Sequence, residues 1–196
     1  MYPLTYISRH GQTDWNVEKR LQGQMETDIN AVGQAQADAN GQRLATLIKG
    51  DPASYRFVAS PMRRTRETME RIRRNMGLDP SVYATDELLK ELSFGEWQGF
   101  TFPELDAVTP GTSTMREADK WNFRPPGASA ESYAMLAGRV RRWLATLDRP
   151  TVCVTHGGII RSLFHIVEGL SGEEAAMMSV PQDRLLVLEG NRLAWA

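Results

Sequence analysis

The chain has 196 residues, with 23 Lys and Arg against 24 Asp and Glu, a formal net charge of −1. Charge this balanced gives no global field to draw in nucleic acid or an anionic membrane, so any anion must be held by a local cluster. An apolar fraction of 41% beside 24% charged residues excludes a disordered chain, and the single cysteine, Cys153, excludes an intrachain disulfide framework or a cysteine-based zinc site. No apolar run approaches the ~20 residues of a membrane-crossing helix. The opening residues, MYPLTYISRHGQTDWN, lack the basic start and apolar centre of a signal peptide. A cytoplasmic protein is therefore expected.

In chain order, Leu4 to Ser8 is a short β-rich run that ends in Arg9, His10 and Gly11. Thr13 or Asp14 can cap a helix after it. Residues 31 to 49 carry apolar positions at helical spacing, weakened by Gly33 and Gly41. Arg56 to Ser60 is a second strand stopped by Pro61, and Met62 to Met76 a highly charged helix. Another strand is expected around Val82 to Ala84. The stretch from Phe94 to Gly127 is broken by prolines and glycines and reads as loops with one or two short helices over one end of the sheet. An insertion of about 100–130 that is this rich in loops is usually functional. Glu131 to Leu147 is an amphipathic helix, with Leu136, Val140, Trp143, Leu144 and Leu147 on one face. Thr151 to Thr155 is an apolar strand, followed by His156-Gly157-Gly158 and a helix from Ile159 to Glu168. Leu185 to Leu188 and Leu193 to Trp195 flank Gly190-Asn191 as a closing hairpin. The alternation implies an α/β fold: one domain, a three-layer α/β/α sandwich around a mostly parallel sheet.

Two of the three histidines share one context, strand then His then Gly then helix. Ligands of open α/β sheets bind beyond the carboxyl ends of the strands, so His10 and His156 are expected at one sheet edge. Each also precedes a helix whose free N–H groups favour an anion. His165, among Phe164, Ile166 and Val167, reads as structural. In SPMRRTRET the strand ends at Ser60 and an arginine opens the next helix at the same edge, offering a planar fork of donors to phosphate. The rest of that helix reads as a solvated face with ion pairs Glu67–Arg71 and Glu70–Arg74. Glu91, before an irregular loop, is a candidate proton donor, because a like-charged phosphate helps a neighbouring carboxylic acid keep its proton.

These stretches together resemble the histidine phosphatase superfamily, the phosphoglycerate-mutase-like group. Arg9-His10-Gly11-Gln12-Thr13-Asp14-Trp15-Asn16 is close to that family's R-H-G-x-T-x-W-N. Arg20-Leu21-Gln22-Gly23 follows, and Ser60-Pro61-Met62-Arg63-Arg64-Thr65 is similar to S-P-L-x-R-A, with Arg64 in the arginine's place. Glu91 opens a segment similar to E-x-x-F-G-x-W-E-G, with Gln98 where an acid is common, and Val154-Thr155-His156-Gly157-Gly158 closes the set.

The resemblance implies a phosphoglycerate mutase-like fold and a phosphatase that hydrolyses small phosphate monoesters through a phosphohistidine. It makes His10 the nucleophile, and Arg9, Arg64 and His156 the holders of the transferring group. Glu91 is the general acid and base. Asn16, Thr13, Gln22, Gly23 and Gly157 are the expected phosphate- or substrate-binding positions. No metal or cofactor is called for, because cationic side chains neutralise the phosphoryl oxygens. Cofactor-dependent phosphoglycerate mutases of the family generally carry a longer insertion between the acid and the second histidine. Here Glu91 and His156 stand 65 positions apart, which favours the phosphatase, with mutase chemistry second and a non-catalytic phospho-ligand module third. Met115, Arg116, Lys120, Trp121, Phe123 and Arg124 are candidates for a roof, and Arg116, Lys120 or Arg124 for a second anionic group of the substrate, against the plainer reading of solvated loop residues. The expected partner is a small phosphorylated metabolite, with neither nucleic acid nor membrane. The apolar closing hairpin can pair in a homodimer or pack on its own sheet.

Overall fold

The computed structural model describes residues 1–196. Six strands form one sheet in the order β3-β2-β4-β1-β5-β6. β1 (Tyr2–Arg9), β2 (Arg56–Ala59), β3 (Ala84–Thr85) and β4 (Thr151–Thr155) are mutually parallel. β5 (Leu185–Gly190) and β6 (Arg192–Trp195) are antiparallel, so the closing hairpin extends its own sheet along β1. Every residue of β4 is buried, as expected of a strand covered on both faces.

Successive side chains of a strand point to opposite faces, and the core divides accordingly. Tyr6, Val152 and Val154 pack against α2 (Ala31–Leu47) and α3 (Arg63–Asn75), meeting Leu44, Met69 and Ile72. Ile7, Cys153 and Leu186 point the other way, onto Leu136, Val140 and Trp143 of α6 (Tyr133–Leu144) and Ile159, Ile160 and Leu163 of α7 (Gly157–Val167). Burying each such large apolar side chain contributes about 1.5–3 kcal/mol.

Local signals set the helix ends. Thr13 and Asn16 form a capping box around the one-turn α1 (Asp14–Val17), and the Asn30 side chain accepts from the Gly33 N–H at 3.0 Å to start α2. Gly33 costs helix propensity, but a Cβ there would lie 2.2 Å from the Gln12 carbonyl oxygen, so α2 can lie against the loop after β1 only with glycine. On α3 the Glu67–Arg71 pair forms at 3.8 Å, whereas the expected Glu70–Arg74 pair does not: Glu70 accepts from the Tyr83 hydroxyl at 3.0 Å instead. A tertiary partner from the loop before the edge strand β3 has outcompeted an exposed i,i+4 contact worth a few tenths of a kcal/mol.

The 94–127 stretch holds two short helices, α4 (Phe102–Val108) and α5 (Thr112–Ala118), between loops. Phe123 stacks on Trp97 with centroids 5.2 Å apart, and Arg124 donates to the Ala130 and Ala128 carbonyls, which closes the stretch on itself. A further short helix, α8 (Gly172–Met177), went unread in the sequence and leads into the segment before β5.

Candidate active site

The sheet register places the two histidines. Arg9 pairs with Thr155 at the last rung between β1 and β4, and the His10 N–H continues the ladder to the Thr155 carbonyl at 2.9 Å. The two rings therefore leave adjacent parallel strands side by side, with centroids 5.3 Å apart and planes inclined at 60°. On the other flank of β4 the Ser60 N–H bonds the Val154 carbonyl, and Ser60 Oγ meets Nε2 of His156 at 2.8 Å.

The tautomer of His10 follows from its partner. Nδ1 lies 2.8 Å from the Gly11 carbonyl oxygen, which can only accept, so Nδ1 carries the hydrogen. Nε2 is left with its lone pair. Both rings are buried, at 2% and 0% exposure, and burial first, then the nearby arginine charges, pushes both titrations well below the usual histidine range. The rings are neutral at pH 7.

Arg9 and Arg64 supply the positive charge. Burial pushes each guanidinium down to about 10, opposed by the attraction of Glu91, so both stay cationic at neutral pH. Arg64 is fixed by donating to the Met25 and Gly23 carbonyls at 2.8 and 2.7 Å, and Arg9 by donating to the Val180 carbonyl at 2.7 Å. Nε of Arg9, Nε of Arg64 and Nδ1 of His156 are buried without a protein hydrogen-bond partner. Three orphaned groups at one spot are an unusual cost in a folded protein and fit an anion that would satisfy them.

The Glu91 carboxylate accepts from the Gly158 N–H at 3.1 and 3.2 Å and from the Leu92 N–H at 2.9 Å. Its backbone is tied down by Arg139, which donates to the Lys90 and Glu91 carbonyls and pairs with Glu131 at 2.8 Å. Arg9, His10, Arg64 and Glu91 line one cavity of about 130 Å³, together with Asn16, Gln22 and Gly23. That is room for a phosphoryl group.

Three expected positions are not among the lining residues. His156 is fully buried beside His10, at 5.3 Å between ring centroids. Thr13 is fully buried and spends its hydroxyl on the α1 cap, so it does not line the cavity. Gly157 is not a wall residue either; it opens α7 beside Arg9, where a Cβ would lie 3.6 Å from Arg9 Nε. None of the six roof candidates lines the cavity. Met115 is exposed, Trp121 stacks on Tyr133 and meets His165 at a tilt of 49°, and Arg124 is spent on backbone carbonyls. His165 is structural: Nδ1 meets the Leu170 carbonyl at 2.8 Å.

The walls also include Arg20, Leu21 and Phe94, which sequence reasoning did not single out as site residues. Arg20 and Leu21 stood in a motif already noted, so a signal existed. Gln182 had none. Its amide donates to the His10 carbonyl at 3.0 Å and to Asn16 Oδ1 at 3.1 Å, and so ties the first histidine to a loop 172 residues away.

A neutral imidazole, two buried arginines and a carboxylate around a phosphoryl-sized cavity, with a second neutral imidazole beside the first at 5.3 Å between ring centroids, define a phosphoryl-transfer enzyme on an α/β sheet. The model of the histidine phosphatase superfamily (branch 1) matches residues 5–196, and the chain belongs to that family. It is a phosphoric monoester hydrolase. It is 36% identical over 169 residues to the glucosyl-3-phosphoglycerate phosphatase of Mycobacterium tuberculosis, covering 79% of this chain and 70% of the relative. It is 29% identical to the metal-independent phosphoserine phosphatase of Arabidopsis thaliana over 81% of this chain and 66% of that one. The structure of the mycobacterial glucosyl-3-phosphoglycerate phosphatase with VO3 superposes with a TM-score of 0.80 at 30% identity, covering 99% of this chain and 96% of that chain. No helix is long and apolar enough to cross a membrane.

Proposed function

We propose that the chain hydrolyses small phosphate monoesters that carry a second anionic group, through a phosphohistidine at Nε2 of His10. The observation that carries the covalent step is the Nδ1–H bond to the Gly11 carbonyl, which leaves Nε2 as an in-place nucleophile inside a cationic cavity. Nε2 forms a bond to phosphorus as the ester P–O bond breaks, and Glu91 gives its proton to the leaving oxygen. Water then attacks phosphorus and gives its proton to Glu91, the N–P bond breaks, and inorganic phosphate leaves. Arg9, Arg64 and His156 hold the equatorial oxygens where charge is greatest.

The second anionic group rests on the chemistry of the relatives' named substrates, and further cations, Arg116, Lys120 and Arg161, stand outside the cavity wall. Arg116 lies over Phe94 at 5.9 Å, and Arg161 approaches the same Gly157 position as Arg9. Lys120 is held below the usual lysine range by burial, then by Arg116, with Arg161 adding to it. Glu117 alone answers Arg116 and Lys120, at 2.6 and 3.4 Å. Glucosyl-3-phosphoglycerate and phosphoserine, named for the relatives, each bear a carboxylate beside the phosphate.

The test is phosphoenzyme trapping with a labelled phosphoester, followed by a panel of substrates. The expected result is an acid-labile, alkali-stable label in the native chain and none in His10→Ala, with phosphate released faster from phosphoserine than from a neutral-tailed monoester. Label retained in His10→Ala overturns the mechanism. Interconversion of phosphoglycerates dependent on bisphosphoglycerate, without net phosphate release, would assign the chain to mutase chemistry. A native chain that binds phosphoester but never labels would be a binding module.

A further inference from the structure

A second cavity, of about 560 Å³, opens at the opposite end of the sheet, where β2 begins. Arg56 is the first residue of β2, and Ser60, beside His156, follows its last residue. The two sites are therefore separated by the length of the strand, roughly 13 Å. The far cavity is lined by Arg56, Arg73 and Arg149 and by the rings of Tyr55, Phe57 and Tyr83, with no Asp, Glu, His or Cys in its wall.

None of the three arginines forms an ion pair with a carboxylate, and no acid stands in the wall to neutralise them. Arg73 is the telling one. It is 5% exposed, on the buried face of α3, with its guanidinium 4.4 Å above the Phe57 ring. Its Nε donates to the Asp79 carbonyl at 2.7 Å, and its terminal nitrogens reach solvent at the cavity wall with donors to spare. The nearest carboxylates face other partners: Asp79 accepts from Ser81, and Glu70 from the Tyr83 hydroxyl at 3.0 Å.

We infer that this cavity is a binding site for a ring-bearing phosphate ester of mononucleotide size, separate from the catalytic cavity. The arginines meet the phosphate with planar forks of donors. Tyr55 and Tyr83 offer flat apolar surface to the ring, and the volume lies in the range of small-ligand sites and well above the need of an inorganic ion. The wall holds no histidine, cysteine or carboxylate, and the Ser81 hydroxyl is spent on Asp79 at 2.7 Å, so the ligand is bound here and not turned over. Tyr83, pushed up to about 12 by burial and its bond to Glu70, keeps its proton and its place.

The experiment is an amide NMR titration of the native chain, saturated with vanadate at the catalytic end, with AMP and in parallel with inorganic phosphate. The expected result is saturable AMP-dependent shifts at Phe57, Tyr83 and Ala84. These should be at least tenfold weaker in the Arg56→Ala/Arg149→Ala double variant, whose substituted side chains lie at the rim and leave the fold intact. Phosphate should bind the same place at least tenfold more weakly than AMP. Three outcomes each overturn the inference: shifts confined to the catalytic end, AMP binding unchanged in the double variant, or phosphate binding as tightly as AMP.

Discussion

The carboxylate of Glu91 sits on the N–H of Gly158, accepting it with both oxygens at 3.1 and 3.2 Å. A Cβ at residue 158 would lie 2.3 Å from Glu91 Oε1 and 3.0 Å from a Leu136 methyl. The absence of a side chain there is what lets the first turn of α7 hold the acid in place.

Gly158→Ala should therefore displace Glu91 while leaving most of the core intact. A shift of about 1 Å in a reacting group costs on the order of 10²-fold. The expected outcome is a fall in kcat of that size with a loss of stability of about 1–3 kcal/mol from overpacking. Steady-state kinetics beside thermal unfolding checks both, and a kcat within threefold of native would show that this contact does not position the acid.

Ser60→Ala removes the partner of His156 Nε2. The ring is fully buried, so it cannot turn to water for a replacement. About a tenfold fall in kcat is expected, equivalent to ~1.4 kcal/mol for one buried hydrogen bond. Ser60→Thr, which keeps the hydroxyl, should recover much of it. Equal activity in the alanine and threonine variants would argue that packing, and not the bond, matters at this position.

Arg64→Lys keeps the charge and loses the fork. Arg64 is at once bonded to two carbonyls and left with a buried, unpartnered Nε. A lysine cannot satisfy both carbonyls and still meet a phosphoryl oxygen. A loss of about 10²–10³ in kcat/KM is expected, in the range found for single donors to a transition state.

Acid should destabilise the fold through the same histidines. Each takes up a proton near pH 6.5 in the unfolded chain and resists it when folded. Below that pH the unfolded state binds more protons, so this contribution is complete above about 6.5 and is lost as pH falls. Two such groups give a slope of up to about 2.7 kcal/mol per pH unit. Urea midpoints at pH 7.5 and 5.5 measure it, and the drop should shrink in the His10→Gln/His156→Gln variant.

Lys120→Met and Arg116→Met separate substrate recognition from chemistry. Both should slow phosphoserine hydrolysis by raising KM, several-fold or more, and leave a neutral-tailed phenyl phosphate nearly untouched. Equal losses on the two substrates would remove the second-anion reading and leave the phosphohistidine step standing.

Much of this protein was legible in one dimension. The run Thr151–Thr155 is apolar throughout because a central parallel strand is buried on both faces, and such a run needs no partner to be recognised. The strand–His–Gly pattern, occurring twice, placed His10 and His156 at one edge because parallel strands share a carboxyl end. What sequence reasoning could not supply was anything set by side chains from remote segments. Thr13 carries a motif position, yet its hydroxyl was claimed by the α1 cap. Glu70 had a helical partner four residues on, yet it accepts from Tyr83, which stands just before the edge strand β3. Gln182 reaches His10 and Asn16 only because β5 returns beside β1. Hydrophobic period and backbone capping act over a few residues, so they write themselves into the chain. The orientation of a buried imidazole, the donors left free on Arg9, Arg64 and Arg73, and the empty space before them depend on which surfaces meet after collapse, and that only the packed molecule decides.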